Sequence, residues 1–132
     1  MPRLEVHVVT PEREVWTGEA TIVVARGVDG DVGILAGHAP LLIQLAIGPL
    51  FVTTTENERV AAAIDGGFLH VVSAGDESRV DVLAEHADLE QEIDVEKERE
   101  RQADAERRIQ ANDDAEAITE LAKATVRLGL RG

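Results

Sequence analysis

Short runs rich in valine, isoleucine and threonine fill the first part of the chain, and turn residues separate them at short intervals. Two runs, Glu5-Val6-His7-Val8 and Arg79-Val80-Asp81-Val82-Leu83, alternate between polar and apolar side chains, which is typical of strands with one solvent-facing side. Many short strands that are separated by turn residues at regular intervals predict a β-sandwich or barrel. The predicted strands are Leu4–Thr10, Thr21–Arg26, Leu41–Ile47, Leu50–Thr55, Val60–Asp65, Phe68–Ala74 and Arg79–Ala84.

The pattern changes after residue 75, because neither glycine nor proline occurs from residue 76 to residue 128. This part predicts two helices, Asp88–Ala111 and Asp114–Leu128, with Gly129 as a C-terminal stop. The short connection Asn112-Asp113 between them favours an antiparallel hairpin. Two pairs have the spacing of capping boxes, Asp88 with Gln91 and Asp113 with Glu116. We therefore expect a mainly β protein with added α structure, in which an N-terminal β-sandwich (residues 1–86) precedes a C-terminal antiparallel two-helix hairpin (residues 87–132).

The predicted hairpin has few large apolar side chains. The second helix places its apolar residues on one face, whereas the first is densely charged and has a thin apolar stripe. Since ordering a residue costs about 1–2 kcal/mol of backbone entropy, we expect a hairpin of marginal stability that can leave the β domain for another docking site. The apolar stripe of the first helix consists of Leu89, Ile93, Ala103 and Ile109. The apolar face of the second helix consists of Ile118, Leu121, Ala122, Thr125 and Leu128. The ion pairs expected within the first helix are Glu96/Arg99, Glu98/Arg101 and Asp104/Arg108.

The amino-acid composition argues against several classes of function. The 132 residues correspond to one domain, or to one small domain with an appendage. A net charge of −13 argues against nucleic-acid binding and against attachment to an anionic membrane surface. The chain has no cysteine, which excludes disulfides and thiolate metal sites. The charge-free stretch between Asp31 and Glu56 is interrupted by several glycines and prolines, so we expect a buried turn with core strands, no membrane insertion and a soluble protein.

Asp31 and His38 are the candidates for chemistry, because they stand in a segment in which Gly30, Gly33 and Gly37 predict sharp turns that would display them. No nucleophile elbow or local Ser-His-Asp arrangement accompanies them, and no phosphate-binding glycine motif occurs. The histidines His7, His38, His70 and His86 are scattered without metal-ligand spacing. We therefore expect no catalytic residue and no metal. Two alternatives stay open at this point: a ligand-binding β module with a helical oligomerisation arm, and a small hydrolase that uses His38 with a distant acid.

Three segments resemble one known family. Residues 30–42 read Gly-Asp-Val-Gly-Ile-Leu-Ala-Gly-His-Ala-Pro-Leu-Leu, residues 66–71 read Gly-Gly-Phe-Leu-His-Val, and residues 120–124 read Glu-Leu-Ala-Lys-Ala. In this order they resemble the ε subunit of F-type ATP synthases. The resemblance implies a non-catalytic rotor subunit of the central stalk, peripheral at the cytoplasmic face of the bacterial plasma membrane. It implies that the β domain joins the γ subunit to the c-ring and that the hairpin restrains ATP hydrolysis.

The resemblance also implies roles for single residues. Asp31 matches a residue that contacts the c-ring, and His38 lies where the β domain meets γ. In an extended hairpin, Lys123, Arg127 and Arg131 would meet acidic surfaces of the catalytic β subunits.

Some members of the family bind ATP as a regulatory ligand through an Ile/Leu-Asp-x-x-Arg-Ala motif. The matching run here is Ile93-Asp94-Val95-Glu96-Lys97-Glu98. Lysine lacks the planar fork of arginine, and Glu98 adds negative charge, so any nucleotide binding is expected to be weak. The residues that match the family's nucleotide site are Asp88, Asp94, Lys97, Lys123 and Arg127. No other cofactor is implied.

Overall fold

The computed structural model describes residues 3–74, 76–112 and 114–131, without the side chain of Ala74. A β domain comes first and a pair of helices follows it, as the sequence predicts. The strands are β1 Arg3–Val9, β2 Glu14–Gly27, β3 Gly30–Leu35, β4 Leu41–Thr54, β5 Arg59–Ala74, β6 Glu77–Ala84 and β7 Ala87–Leu89. A 3₁₀ turn at Glu90–Glu92 leads to helices α1 Val95–Ala111 and α2 Ala115–Arg131.

The strands form one sheet that closes on itself. Their order is β1-β6-β5-β4-β2-β3, and β1 also pairs with β2. Strands β1 and β6 are parallel, whereas the other paired strands are antiparallel. Strands β6 and β7 follow one another along β5, so the sheet continues to Leu89, beyond the boundary at residue 86 that the sequence predicts. The closed sheet is a flattened barrel, and the expectation of a β-sandwich or barrel is confirmed.

Two of the observed strands each combine two predicted ones. The predicted Leu41–Ile47 and Leu50–Thr55 form one strand, β4, which ends at Thr54, and the predicted Val60–Asp65 and Phe68–Ala74 form β5. The predicted breaks are wrong because Gly48-Pro49 and Gly66-Gly67 lie within strands whose pairing continues on both sides of them. Gly66 and Gly67 have φ of 80° and 123°. A Cβ on Gly67 would lie 2.1 Å from the carbonyl oxygen of Leu83, so glycine is needed where β5 approaches β6.

The glycine-rich segment contains a strand that the sequence did not reveal. Gly30 and Gly37 have positive φ and lie at turns, as predicted. Gly33, which was also predicted to lie at a turn, is inside β3 and pairs with Val24. Ile34 pairs with Val23 and is fully buried, so burial of its side chain holds this short strand in place.

Aliphatic side chains fill the inside of the barrel. The core is Leu4, Val6, Val8, Val15, Ala20, Val23, Ala25, Ile34, Leu45, Leu50, Val52, Ala62, Ile64, Leu69, Val71, Val80, Val82, Ala84 and Ala87.

The helix starts differ from those predicted. Asp94 caps α1, its carboxylate accepting a hydrogen bond from the N–H of Lys97 at 3.2 Å, so this helix begins at Val95 and not at Asp88. Asp88 does not cap a helix, because it lies in β7 and bonds to Arg127.

At the second helix, Asp113 lies outside the described residues, and Asp114 accepts from the N–H of Ala117 at 3.1 Å. The predicted stop at Gly129 is wrong, since α2 continues to Arg131.

Helix α2 does not bury the face that was predicted. Ala117, Ala124 and Arg127 are buried, whereas Ile118 is 52 % exposed and Thr125 is also exposed. On α1 the buried residues are Glu98 and Ala105, and Ala103 is exposed. The hydrophobic pattern alone did not reveal this orientation because the buried residues of α2 are two alanines and an arginine.

Candidate functional site

Asp31 lies at one tip of the barrel, directly after the turn between β2 and β3. Its carboxylate is 61 % exposed, and Arg26 donates to it from Nε at 3.2 Å. The N–H of Val28 donates to the carbonyl of Gln44 at 3.0 Å, which ties this turn to β4. A shallow cavity of about 330 Å³ opens beside the turn and is lined by Val28, Asp29, Asp31, Leu42 and Gln44, among others. This tip presents acidic and apolar groups together to solvent.

His38 lies in the loop of residues 36–40, which we call the His38 loop. Its N–H donates to the carbonyl of Leu35 at 3.1 Å, and its Nδ1 is 2.7 Å from the carbonyl oxygen of Ala39. Two hydroxyls from the paired strands β5 and β6 hold the loop: Ser78 accepts from the N–H of Gly37 at 2.8 Å, and Ser73 donates to the carbonyl of His38. The imidazole is therefore presented from an anchored loop.

Asp31 and His38 are not brought together. They lie at opposite ends of β3, and the strand from residue 31 to residue 35 alone spans about 13 Å. Asp31 pairs with Arg26, and Nδ1 of His38 faces a backbone carbonyl. The two side chains do not form an acid–imidazole pair.

Strands β4, β5 and β6 present an apolar surface on the outside of the barrel. We call it the outer apolar face: Leu42 is 65 % exposed, Phe68 49 %, Val72 44 % and Leu83 52 %. Phe68 lies opposite Leu83, and Leu42 lies opposite His70. A groove of about 350 Å³ runs along this face between Phe68, Leu83, Val9 and Pro11. Polar side chains lie among these groups, since Asp81 is opposite His70 and Arg79 is opposite Val72. Several large exposed apolar side chains within a polar rim mark a surface that another molecule covers.

Sequence reasoning missed the outer apolar face. Phe68, Leu69, Val71 and Val72 form a nearly continuous apolar run in which only His70 is polar. Alternation assigns Phe68 and Val72 to the outside only once Leu69 and Val71 are known to be fully buried. The available signal was Phe68 itself, one of two phenylalanines in the chain.

The helices dock on the barrel through Arg127 of α2. This residue is 1 % exposed. Its Nη1 and Nη2 donate to the two carboxylate oxygens of Asp65 at 2.8 and 3.0 Å, and its Nε donates to Asp88 at 2.9 Å. Burial alone would lower the pKa of Arg127, but the hydrogen bonds and charges of Asp65 and Asp88 outweigh burial and raise it above its usual value. The guanidinium therefore stays charged inside the contact.

Of the five residues predicted for nucleotide binding, three line one cavity and the other two, Lys123 and Arg127, lie on α2, where Arg127 bonds to Asp88. Asp88, Asp94 and Lys97 line a cavity of about 530 Å³ at the start of α1, together with His86, Glu92, Ile93, Glu98 and Arg101. Lys123 Nζ is 3.7 Å from Glu120, and Arg127 is already held by two carboxylates. The cavity thus has four carboxylates against one lysine and one arginine, a balance that disfavours a polyphosphate. Arg131, the third residue predicted to contact the catalytic head, is exposed at the end of α2.

Ion pairs connect the two helices to each other. Arg101 bonds to Glu98 at 3.2 Å and to Glu120 at 2.7 Å. The predicted pairs Glu96/Arg99 and Glu98/Arg101 are confirmed. The predicted pair Asp104/Arg108 is wrong, since Asp104 meets Arg107 and Arg108 meets Asp114.

A backbone hydrogen bond from Ala117 and a side-chain bond from Arg108 lower the pKa of Asp114, and the bond to Asp114 raises the pKa of Arg108.

A second link joins the barrel to the segment before α1. Arg13 donates to both carboxylate oxygens of Glu92 at 2.8 Å and to the carbonyl of Ala87 at 3.1 Å. The hydrogen bond from Arg13 is the main reason that the pKa of Glu92 lies below its usual value. This fork holds β7 and the 3₁₀ turn against the loop between β1 and β2.

Within residues 3–74, 76–112 and 114–131, no group of three or more histidines and carboxylates is placed to hold a metal ion. Neither α1 nor α2 has the length and apolar character that crossing a bilayer requires.

Comparison with known proteins assigns the chain to a family. Residues 3–90 match the family model of the ATP synthase delta/epsilon chain, beta-sandwich domain. The ATP synthase epsilon chain of Thermobifida fusca is 44 % identical over 128 residues, which covers 96 % of this chain and 90 % of that one. The epsilon chain of Rhodococcus opacus is 41 % identical over 128 residues, with 96 % of each chain covered.

Solved structures agree with this assignment. A chain of the Euglena gracilis mitochondrial ATP synthase, solved as OSCP/F1/c-ring, superposes with a TM-score of 0.78 at 28 % identity, over 94 % of this chain and 77 % of that one. A chain of the Tetrahymena thermophila central stalk and c-ring shares the fold, with a TM-score of 0.51 at 19 % identity over 67 % of this chain and 68 % of that one.

The protein is a member of the ATP synthase delta/epsilon chain family. Within that family its bacterial relatives are epsilon chains, non-catalytic subunits of the complex. This membership replaces the two alternatives that the sequence left open, the ligand-binding module and the hydrolase.

Proposed function

We propose that this chain joins the γ subunit to the c-ring in the central stalk, so that rotation of the ring reaches the catalytic head. The observation that carries the proposal is the outer apolar face, which leaves Leu42, Phe68, Val72 and Leu83 exposed on three neighbouring strands of the barrel. The solved relative from an F1/c-ring assembly supports a role between these two parts of the enzyme.

We assign the outer apolar face and the His38 loop to the γ subunit. The loop leads directly into Leu41 at the start of β4, and Leu42 of the outer apolar face follows it in the chain. An aromatic side chain with aliphatic neighbours and a polar border is the usual composition of a binding hot spot. Phe68 would be the central anchor, and His38 would lie at the rim.

We assign the Asp31 tip to the c-ring. The carboxylate of Asp31 is exposed and oriented by Arg26, and the neighbouring Asp29 adds a second negative charge. An acidic tip of this kind suits the polar loops that connect the helices of a membrane ring.

The hairpin is the candidate for regulation. In an extended state, Lys123, Arg127 and Arg131 would supply positive charge to acidic surfaces of the catalytic β subunits. Arg127 becomes available only if it leaves Asp65 and Asp88, so extension requires the helices to undock. Binding of ATP by Asp88, Asp94, Lys97, Lys123 and Arg127 would also require that Arg127 exchange its carboxylates for phosphate.

The epsilon chains that are more than 40 % identical to this one come from bacteria, which favours a peripheral position at the cytoplasmic face of the plasma membrane.

The test is co-purification with the γ subunit of the same enzyme. The Phe68→Asp variant should bind γ at least about tenfold more weakly, because a charge would be buried at the centre of the contact. The matched control is Ile118→Asp, since Ile118 is 52 % exposed against 49 % for Phe68 but lies on α2. Equal affinity of wild type and Phe68→Asp, with both variants folded, would exclude this face as the γ contact.

A further inference from the structure

We propose that Arg127, Asp65 and Asp88 form an ionic latch that holds the two helices docked on the β domain without any bound ligand. The latch is a contact within this chain, so it goes beyond the proposed role between γ and the c-ring and is testable independently of that role.

The geometry uses every nitrogen of the guanidinium. Nη1 and Nη2 form a two-bond fork with Asp65, Nε bonds to Asp88, and Nη1 also donates to the carbonyl of Lys123 at 3.2 Å. Paired parallel bonds of this kind are the strong, orientation-specific form of an arginine–carboxylate contact. The latch therefore specifies both the position and the rotation of α2.

The three partners come from separate parts of the fold. Asp65 lies in β5 and is 5 % exposed, Asp88 lies in β7, and Arg127 is 62 and 39 residues away from them in sequence. The N–H of Asp65 donates to the carbonyl of His86 at 2.9 Å, which holds the backbone of Asp65 in place. His86 Nε2 is 3.5 Å from the other oxygen of Asp88. The acceptors belong to the barrel and the donor to the helices.

Apart from Arg127, the buried side chains of α2 are small, and its larger residues Val126 and Leu130 line a groove of about 300 Å³ with Pro49 and Phe51 of β4. Ala61 and Ala63 lie outside the core cluster yet are 3 % and 0 % exposed, and α2 packs on β4 and β5. Ala117 and Ala124 on α2 are fully buried. Alanines allow close approach but remove little apolar area from water. Because α1 packs mainly against α2, docking of both helices depends on this contact.

Loss of one partner leaves a buried charge without compensation, which is far more costly than loss of an exposed pair. The carboxylates also occupy the donors that a phosphate would need. We therefore expect the helices to stay docked in the absence of nucleotide, and Mg-ATP to change their position little.

The experiment measures the distance between spin labels on cysteines introduced at Glu56 in the β4–β5 turn and at Glu116 in α2, both exposed in a chain that has no native cysteine. The full chain should give one distance population that millimolar Mg-ATP leaves unchanged. The Asp65→Asn variant should add a longer population, with the ratio of docked to undocked helices lowered about tenfold or more. The control Asp104→Asn removes an exposed ion pair on α1 and should match the wild type.

A second variant, Arg127→Lys, changes the partner that lies on α2 and leaves the barrel residues unchanged. It tests the latch even if Asp65→Asn does not fold. Lysine cannot form the fork, so this variant should also add the longer population. A single docked population in Arg127→Lys or in folded Asp65→Asn would overturn the proposal. So would a wild type that docks only with Mg-ATP. Failure of γ to bind the wild type would contradict the proposed function and leave the latch standing.

Discussion

The hydroxyl of Ser78 accepts a hydrogen bond from the backbone N–H of Gly37 at 2.8 Å, across 41 residues of sequence. Ser78 is 4 % exposed, and its hydroxyl is 3.2 Å from that of Ser73, which holds the carbonyl of His38. The position of the His38 loop is thus determined by two paired serines, Ser73 of β5 and Ser78 of β6. One buried and one half-buried hydroxyl hold the loop that carries the residue assigned to the γ contact.

Ser78→Ala should loosen the His38 loop. The substitution leaves the N–H of Gly37 without its acceptor, which should lower the free energy of unfolding by about 1 kcal/mol and weaken γ binding several-fold. Urea unfolding and γ affinity measure the two effects. The control is Thr21→Ala, which removes an exposed hydroxyl at 3.4 Å from the carbonyl of Thr53. A folded Ser78→Ala protein with unchanged γ affinity would show that the His38 loop does not contribute to γ binding.

Gly67→Ala should destabilise the barrel strongly. A Cβ at this position would lie 2.1 Å from the carbonyl oxygen of Leu83, and φ of 123° is unfavourable for any residue with a side chain. We expect the free energy of unfolding to fall by about 3 kcal/mol or more.

Gly33→Ala is the matched control, because a Cβ there meets nothing within 4 Å and its φ is not positive. This variant should stay within about 1 kcal/mol of the wild type in urea unfolding. Similar losses for the two variants would contradict the close approach of β5 to β6.

The Arg13–Glu92 fork should stabilise the protein in a pH-dependent way. The hydrogen bond from Arg13 lowers the pKa of Glu92 below its usual 4.5, so the folded state binds fewer protons than the unfolded state as the pH approaches that value. The stabilisation is therefore present above pH 4.5 and is lost as the pH falls below it, through the folded-state pKa.

Urea unfolding of the wild type and Glu92→Gln at neutral and acidic pH measures this effect. The wild type should be more stable at neutral pH, and the difference should shrink below pH 4.5. Glu106→Gln, an exposed position on α1, should show little difference at either pH. A difference that persists unchanged into acid would show that the fork does not depend on the carboxylate charge.

Asp31→Asn should impair coupling while leaving stability unchanged. The pair with Arg26 is exposed on both sides, and such pairs contribute about 1 kcal/mol or less. In a reconstituted complex we expect less proton pumping per ATP hydrolysed. Glu19→Gln, which removes an exposed pair with Arg3, is the control. Normal proton pumping by the complex that carries Asp31→Asn would show that Asp31 does not contribute to the c-ring contact.

Local patterns predicted the strand-rich domain, the two helices and two of the three expected ion pairs of α1, because these depend on near neighbours in sequence. They failed at Gly33 and Gly66-Gly67, where glycines that look like turns lie inside paired strands. They also failed to separate Phe68 from Leu69, since an uninterrupted apolar run does not tell which side chains face outward. In these cases the strand-pairing partners and the burial of each side chain decide the structure, and both depend on residues that are distant in sequence.

The sequence by itself determined that a β barrel precedes a helical hairpin and that the Asp31 and His38 segments lie at exposed turns. It also carried the family motifs. Only the tertiary structure decided which face of α2 meets the barrel and what Arg127 does. The physical reason is that a buried arginine is stable only beside its carboxylates, and Asp65 lies 62 residues earlier in the chain. A charge whose partner is so remote looks, in the sequence, like any solvent-exposed residue of a helix.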